Sequence, residues 1–170
     1  MTGWFELNAR GSNAIDLAHF RTTSDASVIH LIVSTSGHLG LRDDVSGVTL
    51  HNPTPVTMHV WHRFELHAVI SGTASYLEVW LDGQPATTLS GAMALGSQPL
   101  GVVQIGDNHT GRTFDVIFDD LTVSTVSAPA ATSISLSTTA TRVANSRNET
   151  STGLRWRETS THLRGVASRF

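Results

Sequence analysis

The sequence predicts an all-β domain built as a sandwich of two antiparallel sheets. Short runs rich in β-branched and aromatic residues recur through the first 125 residues, and most are separated by Gly, Asn, Asp or Pro. No segment keeps a 3.6-residue hydrophobic period over three turns, so little helix is expected, with a single turn at most in Ala14–Arg21. The predicted strands are Trp4–Asn8, Val28–Ser34, Leu39–Arg42, Trp61–Ile70, Tyr76–Leu81, Val102–Ile105 and Phe114–Val123.

Composition divides the chain into a domain, a linker and a tail. Residues 1–125 carry 5 Arg against 12 Asp plus Glu, a net charge of −7, whereas residues 126–170 carry 6 Arg against 2 Glu, a net charge of +4. The acidic domain disfavours a nucleic-acid partner, because phosphate binding needs a basic surface. Residues 126–133 are typical of a linker, and residues 134–170 hold too few large apolar side chains to fold alone. The tail is therefore expected to be disordered.

Two strands and their connections can be placed in register. Leu66 is expected to pair with Val79, which puts the apolar residues of both strands on one buried face. Asp82-Gly83 is expected to form a tight two-residue turn, because both residues tolerate positive φ. Pro85 then suits an edge strand. In the closing strand, alternation slips at Asp119-Asp120, which predicts a β-bulge there.

Four motifs in order resemble a known family: Trp61-His-Arg-Phe-Glu-Leu, Val79-Trp-Leu-Asp-Gly, Gln104-Ile-Gly-Asp and Phe114-Asp-Val-Ile-Phe-Asp-Asp-Leu. They resemble the laminin-G-like, concanavalin A-like jelly rolls of secreted multidomain bacterial proteins of actinobacterial type. The resemblance covers roughly residues 3–125 and implies a jelly-roll sandwich that lacks its first strands, with an exposed edge at Phe114–Val123. The segment that starts at Ala131-Thr-Ser-Ile resembles the first strand of a bacterial Ig-like repeat, here truncated.

The second, outward face of the two registered strands is the candidate ligand site. Aromatic rings stack on pyranose faces, and carboxylate and guanidinium groups hydrogen-bond sugar hydroxyls. Related jelly rolls hold polysaccharide on such a sheet, which suggests a sugar platform; the alternative is a solvated or loop-covered outer face with cross-strand pairs such as His67–Glu78. The predicted ligand residues are Arg63, Glu65, His67, Tyr76, Glu78 and Trp80.

Acidic residues near the closing strand suggest a structural Ca²⁺ site. Carboxylates are the hard oxygen ligands that Ca²⁺ prefers, and jelly-roll modules often hold one such ion beside this strand. The predicted ligands are Asp107, Asp119 and Asp120, and the alternative is that such side chains only cap turns. The nine histidines form no local metal-binding motif and are expected to be scattered over the surface.

The resemblance and the outward face together predict a non-catalytic module that binds a polysaccharide, a surface glycan or a protein. It would act beside neighbouring domains of an extracellular bacterial protein, secreted or on the cell surface, although residues 1–7 lack the pattern of a secretory signal. No membrane span is expected. One alternative is a structural spacer that binds nothing. The other is a polysaccharide lyase, in which His67 or Tyr76 is the base and Arg63 neutralises a uronate.

Overall fold

A computed structural model describes residues 1–125 in full and, beyond them, the backbone of three further strands. The described chain is all-β apart from two single-turn 3₁₀ helices, Gly72–Ala74 and Thr87–Leu89. None of its helices is long and apolar enough to cross a lipid bilayer. The strands are β1 (Thr2–Arg10), β2 (Ile15–Thr22), β3 (Ser27–Val33), β4 (His38–Asp43), β5 (Val48–Pro55), β6 (Trp61–Val69), β7 (Ser75–Leu81), β8 (Gln84–Pro85), β9 (Gly91–Met93), β10 (Leu100–Ile105), β11 (Phe114–Thr122), β12 (Thr141–Asn145), β13 (Leu154–Thr159) and β14 (His162–Ala167).

The strands form two antiparallel sheets. Sheet A has the order β12-β11-β1-β6-β7-β8, and β9 also pairs with β7. Sheet B has the order β14-β13-β10-β2-β3-β4-β5. The prediction of an all-β sandwich of two antiparallel sheets is therefore confirmed.

The hydrophobic core lies between the sheets, because buried apolar residues alternate with outward-facing residues along the strands of sheet A. On β1, Phe5 and Leu7 are fully buried, while Trp4 and Glu6 face outward. On β6, Phe64 and Leu66 are buried in the same way. The rings of Phe5 and Phe64 have their centroids 6.2 Å apart and tilted by 55°, a favoured aromatic arrangement. One face of sheet A thus packs the core, and the other is left for a second role.

The predicted hairpin of β6 and β7 is confirmed in register. Leu66 pairs with Val79. The turn after β7 has Asp82 at φ 53° and Gly83 at φ 75°, the left-handed conformation expected for this pair. The carboxylate of Asp82 accepts the backbone N–H of Arg63 at 2.8 Å, which ties the turn to the neighbouring strand. Pro85 lies on β8 at the edge of the sheet, as predicted.

The predicted bulge in the closing strand is also confirmed. Trp4 pairs with Asp119 while Thr2 pairs with Thr122, so β11 contains one extra residue over this stretch. Asp120 stands at the bulge and has a positive φ of 47°. As a result Phe118 and Leu121, which would otherwise point to opposite faces, are both buried in the core.

The prediction that Ala14–Arg21 forms at most a helical turn is wrong. Residues Ile15–Thr22 form β2, a central strand of sheet B. Its pairing with β3 shifts register between Asp16 and Ala18, and this irregularity disrupts the period of two that identifies a strand in sequence. Almost the whole strand is buried on both faces, including its polar residues.

The predicted exposed edge at Phe114–Val123 is not found. Strand β11 pairs with β1 on one side, and its residues Phe114–Phe118 pair with β12 on the other. A strand that follows the domain in sequence therefore covers the edge. The predicted linker 126–133 lies outside the described residues, as does the predicted remnant 134–170 except for the backbones of β12, β13 and β14.

Candidate functional site

The outer face of sheet A presents four aromatic side chains, which we call the aromatic platform: Trp4, Trp61, Tyr76 and Trp80. Trp4 is 37% exposed, Trp61 39% and Tyr76 45%, and Trp80 is half-buried. They come from three adjacent strands, β1, β6 and β7, at positions that alternate with core residues. Large aromatic side chains gathered on one exposed face are a frequent mark of a binding surface.

Pairing between the strands sets the spacing of the platform. Trp4 lies opposite Arg63 on β6, whereas Trp80 lies opposite Glu65 on the other side of the same strand. Two strand spacings and a two-residue step separate the tryptophans, which places their Cα atoms roughly 12 Å apart. The platform is therefore longer than a single pyranose ring.

Glu65 organises the polar groups between these rings. Its Oε2 lies 3.0 Å from Nη1 of Arg63, and its Oε1 lies 3.0 Å from Nε2 of His67. The His67 ring in turn packs against Trp80 with centroids 4.8 Å apart. Such exposed ion pairs add little stability, but they hold hydrogen-bonding groups in place beside a ring.

All six residues predicted for ligand binding, Arg63, Glu65, His67, Tyr76, Glu78 and Trp80, occur on this face of β6 and β7. Sequence reasoning missed Trp4 and Trp61. Because Trp4 precedes the buried Phe5 on a strand, its side chain is expected to face outward. Only the pairing of β1 with β6 shows that Trp4 lies beside Arg63. Trp61 shares the parity of Arg63 and was detectable from the same alternation.

The groups named for a lyase are engaged differently from what that reaction needs. Arg63 binds Glu65, so its charge is already matched by a carboxylate. Tyr76 pairs with Val69, a two-residue step beyond the pair of His67 and Glu78. The guanidinium of Arg63 and the ring of His67 are thus both engaged by the Glu65 carboxylate.

The three predicted calcium ligands are not brought together in residues 1–125. Asp119 lies on sheet A opposite Trp4, and its Oδ1 accepts the backbone N–H of Asp120 at 2.8 Å. Asp107 is fully buried after β10, where its Oδ2 accepts from Nη1 of Arg112 at 2.6 Å. Among the described residues, Asp107 instead joins a group with Asp16 and His109. Calcium binding stays a prediction.

A second cluster of polar and titratable side chains lies on sheet B, and the sequence did not predict it. We call it the histidine cluster: Asp16, His19, Ser27, His30, Asp44, Asp107 and His109. The His19 and His30 rings stack with centroids 3.5 Å apart and an interplanar angle of 24°. Both are buried, as is His62 on sheet A, so the expectation that the histidines are scattered over the surface is wrong for these three. The pairing of β2 with β3 places His19 opposite His30, which no local motif reveals.

His19 is held as a neutral imidazole. Burial, together with the neighbouring charges of His30 and Arg21, lowers the pKa of His19 to about 3. The guanidinium of Arg21 donates to its Nδ1 at 3.1 and 3.3 Å, so the ring proton is on Nε2, which lies 2.6 Å from Oγ of Ser27. The lone pair of His19 Nδ1 is thus already used by Arg21.

Asp44 closes the cluster on the side of β4. Burial raises the pKa of the Asp44 carboxyl, but the hydrogen bond from Ser27 and the charges of His30 and Arg42 outweigh it and leave the pKa below the usual value. Oδ2 of Asp44 lies 2.8 Å from Nε2 of His30, and Oδ1 accepts from Nε of Arg42 at 2.7 Å. Asp44 is therefore a carboxylate that fixes the orientation of His30.

Ser27, His30 and Asp16 are arranged in space like the nucleophile, base and acid of a catalytic triad. Oγ of Ser27 lies 3.0 Å from Nε2 of His30, and Nδ1 of His30 lies 3.1 Å from Oδ2 of Asp16. However, the Ser27 hydroxyl donates its proton to Asp44 instead of His30. The arrangement therefore lacks the activated hydroxyl that nucleophilic catalysis requires.

Comparison with known proteins does not assign the chain to a family. No protein-family model matches the sequence, and searches of the curated proteins and of the solved structures find no significant match either. The class that the fold defines is thus an all-β sandwich of two antiparallel sheets.

Proposed function

We propose that this protein is a non-catalytic carbohydrate-binding module and that the aromatic platform of sheet A is its binding face. The observation that carries the proposal is the convergence of four partly exposed aromatic side chains on one sheet face. Exposing this much aromatic surface to water is unfavourable, whereas stacking a pyranose ring on it removes that surface from water.

The polar residues among the rings favour a sugar ligand over an apolar one. Arg63, Glu65, His67 and Glu78 lie between or beside the rings and offer charged hydrogen-bonding groups to hydroxyls. A membrane or a flat apolar protein partner would remove water from these groups without offering them hydrogen bonds in exchange, which is unfavourable. A face spanning roughly 12 Å between Trp4 and Trp80 fits a chain of sugars better than a monosaccharide.

The motif resemblance supports an extracellular setting for this activity. Laminin-G-like jelly rolls serve as modules of secreted multidomain bacterial proteins, and a neighbouring domain of such a protein is the second partner that we propose. A spacer role is the alternative from a different class: the same sandwich would then bind no glycan, and the platform would contact a neighbouring domain instead. A polysaccharide lyase would release unsaturated, ultraviolet-absorbing product, which a binding module does not.

The experiment is a screen of the full chain against neutral and acidic soluble polysaccharides by affinity electrophoresis. We expect Trp80→Ala to weaken binding about tenfold or more, equivalent to roughly 1.4 kcal/mol, since one stacked ring is lost. The melting temperature should stay close to that of the wild type, because Trp80 is only half-buried on the outer face.

Val48→Ala is the matched control for this screen. Val48 is an exposed apolar residue on sheet B, so its removal should change neither affinity nor melting temperature. A chain that binds no polysaccharide, or that binds equally well with and without the Trp80 ring, would contradict the proposed function.

A further inference from the structure

The histidine cluster contains a buried carboxylate oxygen that no hydrogen bond satisfies. Asp16 is 4% exposed, and its Oδ2 has no hydrogen-bond partner in the described part of the chain. Leaving a buried carboxylate oxygen without a donor is costly, and native proteins rarely do so without a reason. Asp44 and Asp107 each have an arginine, Arg42 and Arg112, whereas Asp16 has none among residues 1–125.

A ring nitrogen of His30 faces this oxygen without donating to it. Nδ1 of His30 lies 3.1 Å from Oδ2 of Asp16, close enough for an ion pair, but the two atoms do not form a hydrogen bond. The other nitrogen, Nε2, lies 2.8 Å from a carboxylate oxygen of Asp44, which favours the proton on Nε2. His30 thus leaves the Asp16 oxygen without a hydrogen bond, and a cation bound beside that oxygen would satisfy it.

Two further ligand atoms approach the same oxygen from the loop after β10. Nδ1 of His109 lies 3.7 Å from Oδ2 of Asp16 and 2.8 Å from Oδ1 of Asp107. The ligand atoms of Asp16, Asp107 and His109 all lie within 4.8 Å of one another. Arg112 holds the other oxygen of Asp107, so Oδ1 is the one directed towards His109.

We propose that Asp16, Asp107 and His109 bind one divalent transition-metal ion of the Zn²⁺ type, with the fourth coordination position taken by water. Bonds of about 2.0–2.2 Å in a tetrahedron place neighbouring ligand atoms about 3.3–3.6 Å apart. The observed separations, 2.8 Å between His109 and Asp107 and 3.7 Å between His109 and Asp16, bracket that range. One imidazole with two carboxylates suits such an ion better than Ca²⁺, which prefers oxygen ligands alone.

The surroundings of the ligands match those of known metal sites. A carboxylate that binds a metal is usually held by a further hydrogen bond, as Asp107 is by Arg112. The ion would connect β2 with the loop that follows β10, two elements that are distant in sequence. The site lies on sheet B and does not depend on the carbohydrate-binding proposal for sheet A.

The test is titration of Zn²⁺ into the full chain by calorimetry, with a thermal melt before and after addition of EDTA. We expect one ion per chain and a melting temperature that rises with Zn²⁺ and returns with EDTA, because the ion binds the folded state. Asp16→Asn and His109→Gln should each weaken binding at least about tenfold. His109 is half-exposed, so its replacement leaves the fold intact even if the buried Asp16→Asn does not.

His59→Asn is the matched control, because His59 lies outside the cluster at φ 59°, a conformation that asparagine tolerates. It should bind Zn²⁺ as the wild type does. Equal affinity in the wild type and in His109→Gln would mean adventitious binding to surface histidines and would overturn the proposal. So would the absence of Zn²⁺ binding, or binding of Ca²⁺ in preference to Zn²⁺.

Discussion

Replacing Phe64 by alanine is expected to lower the free energy of unfolding by about 3–5 kcal/mol, the range for removing a large aromatic ring from a packed core. Phe64 is fully buried at the middle of sheet A and contacts the Phe5 ring. A Cβ atom added to Gly3 would lie only 3.0 Å from the Phe64 ring, so strand β1 is already as close as it can be. The backbone of β1 therefore cannot fill the cavity left by the Phe64 ring unless the strand shifts. Urea unfolding measures the loss.

Trp61→Ala is the matched control for this prediction. Trp61 lies on the same strand but faces outward and is 39% exposed. Its replacement should change the free energy of unfolding by no more than about 1 kcal/mol. If Phe64→Ala and Trp61→Ala lowered the free energy of unfolding by the same amount, the assignment of core and outer faces on β6 would be wrong.

Acidification is expected to destabilise the protein through His19. Its pKa is about 3 in the folded state against 6.5 for the ordinary group, so the unfolded chain takes up the proton first. The contribution to stability is complete above pH 6.5 and is lost as the pH falls towards 3. Between about pH 7.5 and about pH 5 the free energy of unfolding should fall by about 2 kcal/mol from this group alone.

His19→Gln isolates this effect, since glutamine keeps a hydrogen-bonding side chain but does not titrate. Urea unfolding in EDTA at the two pH values should show a smaller decrease for His19→Gln than for the wild type. Parallel decreases in the two proteins would show that His19 is not the group responsible.

The sequence was most informative where structure is set by neighbouring residues. The register of β6 with β7 follows from the alternation of apolar and polar residues in these two adjacent strands. The Asp82-Gly83 turn, which joins β7 to the edge strand β8, supports it. The bulge at Asp120 follows from a break in the same alternation. In each case the short-range pattern contains all the information that the structure uses.

Strand β2 shows where such reasoning fails. It is buried on both faces, and its outer face carries Asp16 and His19 instead of apolar or solvated residues. The His19 ring is accommodated because Ser27 and His30 contact it from β3, and the backbone N–H of Asp16 donates to Asp107 in the loop after β10. A pattern within β2 cannot reveal partners 8 to 91 residues away.

The candidate binding face was predicted in part for the same reason. The outward residues of β6 and β7 were identified because those strands form a hairpin. Trp4 was missed because β1 reaches β6 across nearly 60 residues of chain, a pairing that the local sequence does not specify. The histidine cluster has the same long-range character.

Quenching of tryptophan fluorescence by acrylamide tests most directly whether the aromatic platform of sheet A binds polysaccharide, as we propose. Three of the four tryptophans lie on the platform, and Trp156→Phe removes the fourth. In that variant, saturation with the polysaccharide selected by the screen should reduce quenching, because the ligand covers Trp4, Trp61 and Trp80. Unchanged quenching while the polysaccharide is bound would place the ligand elsewhere and contradict the account.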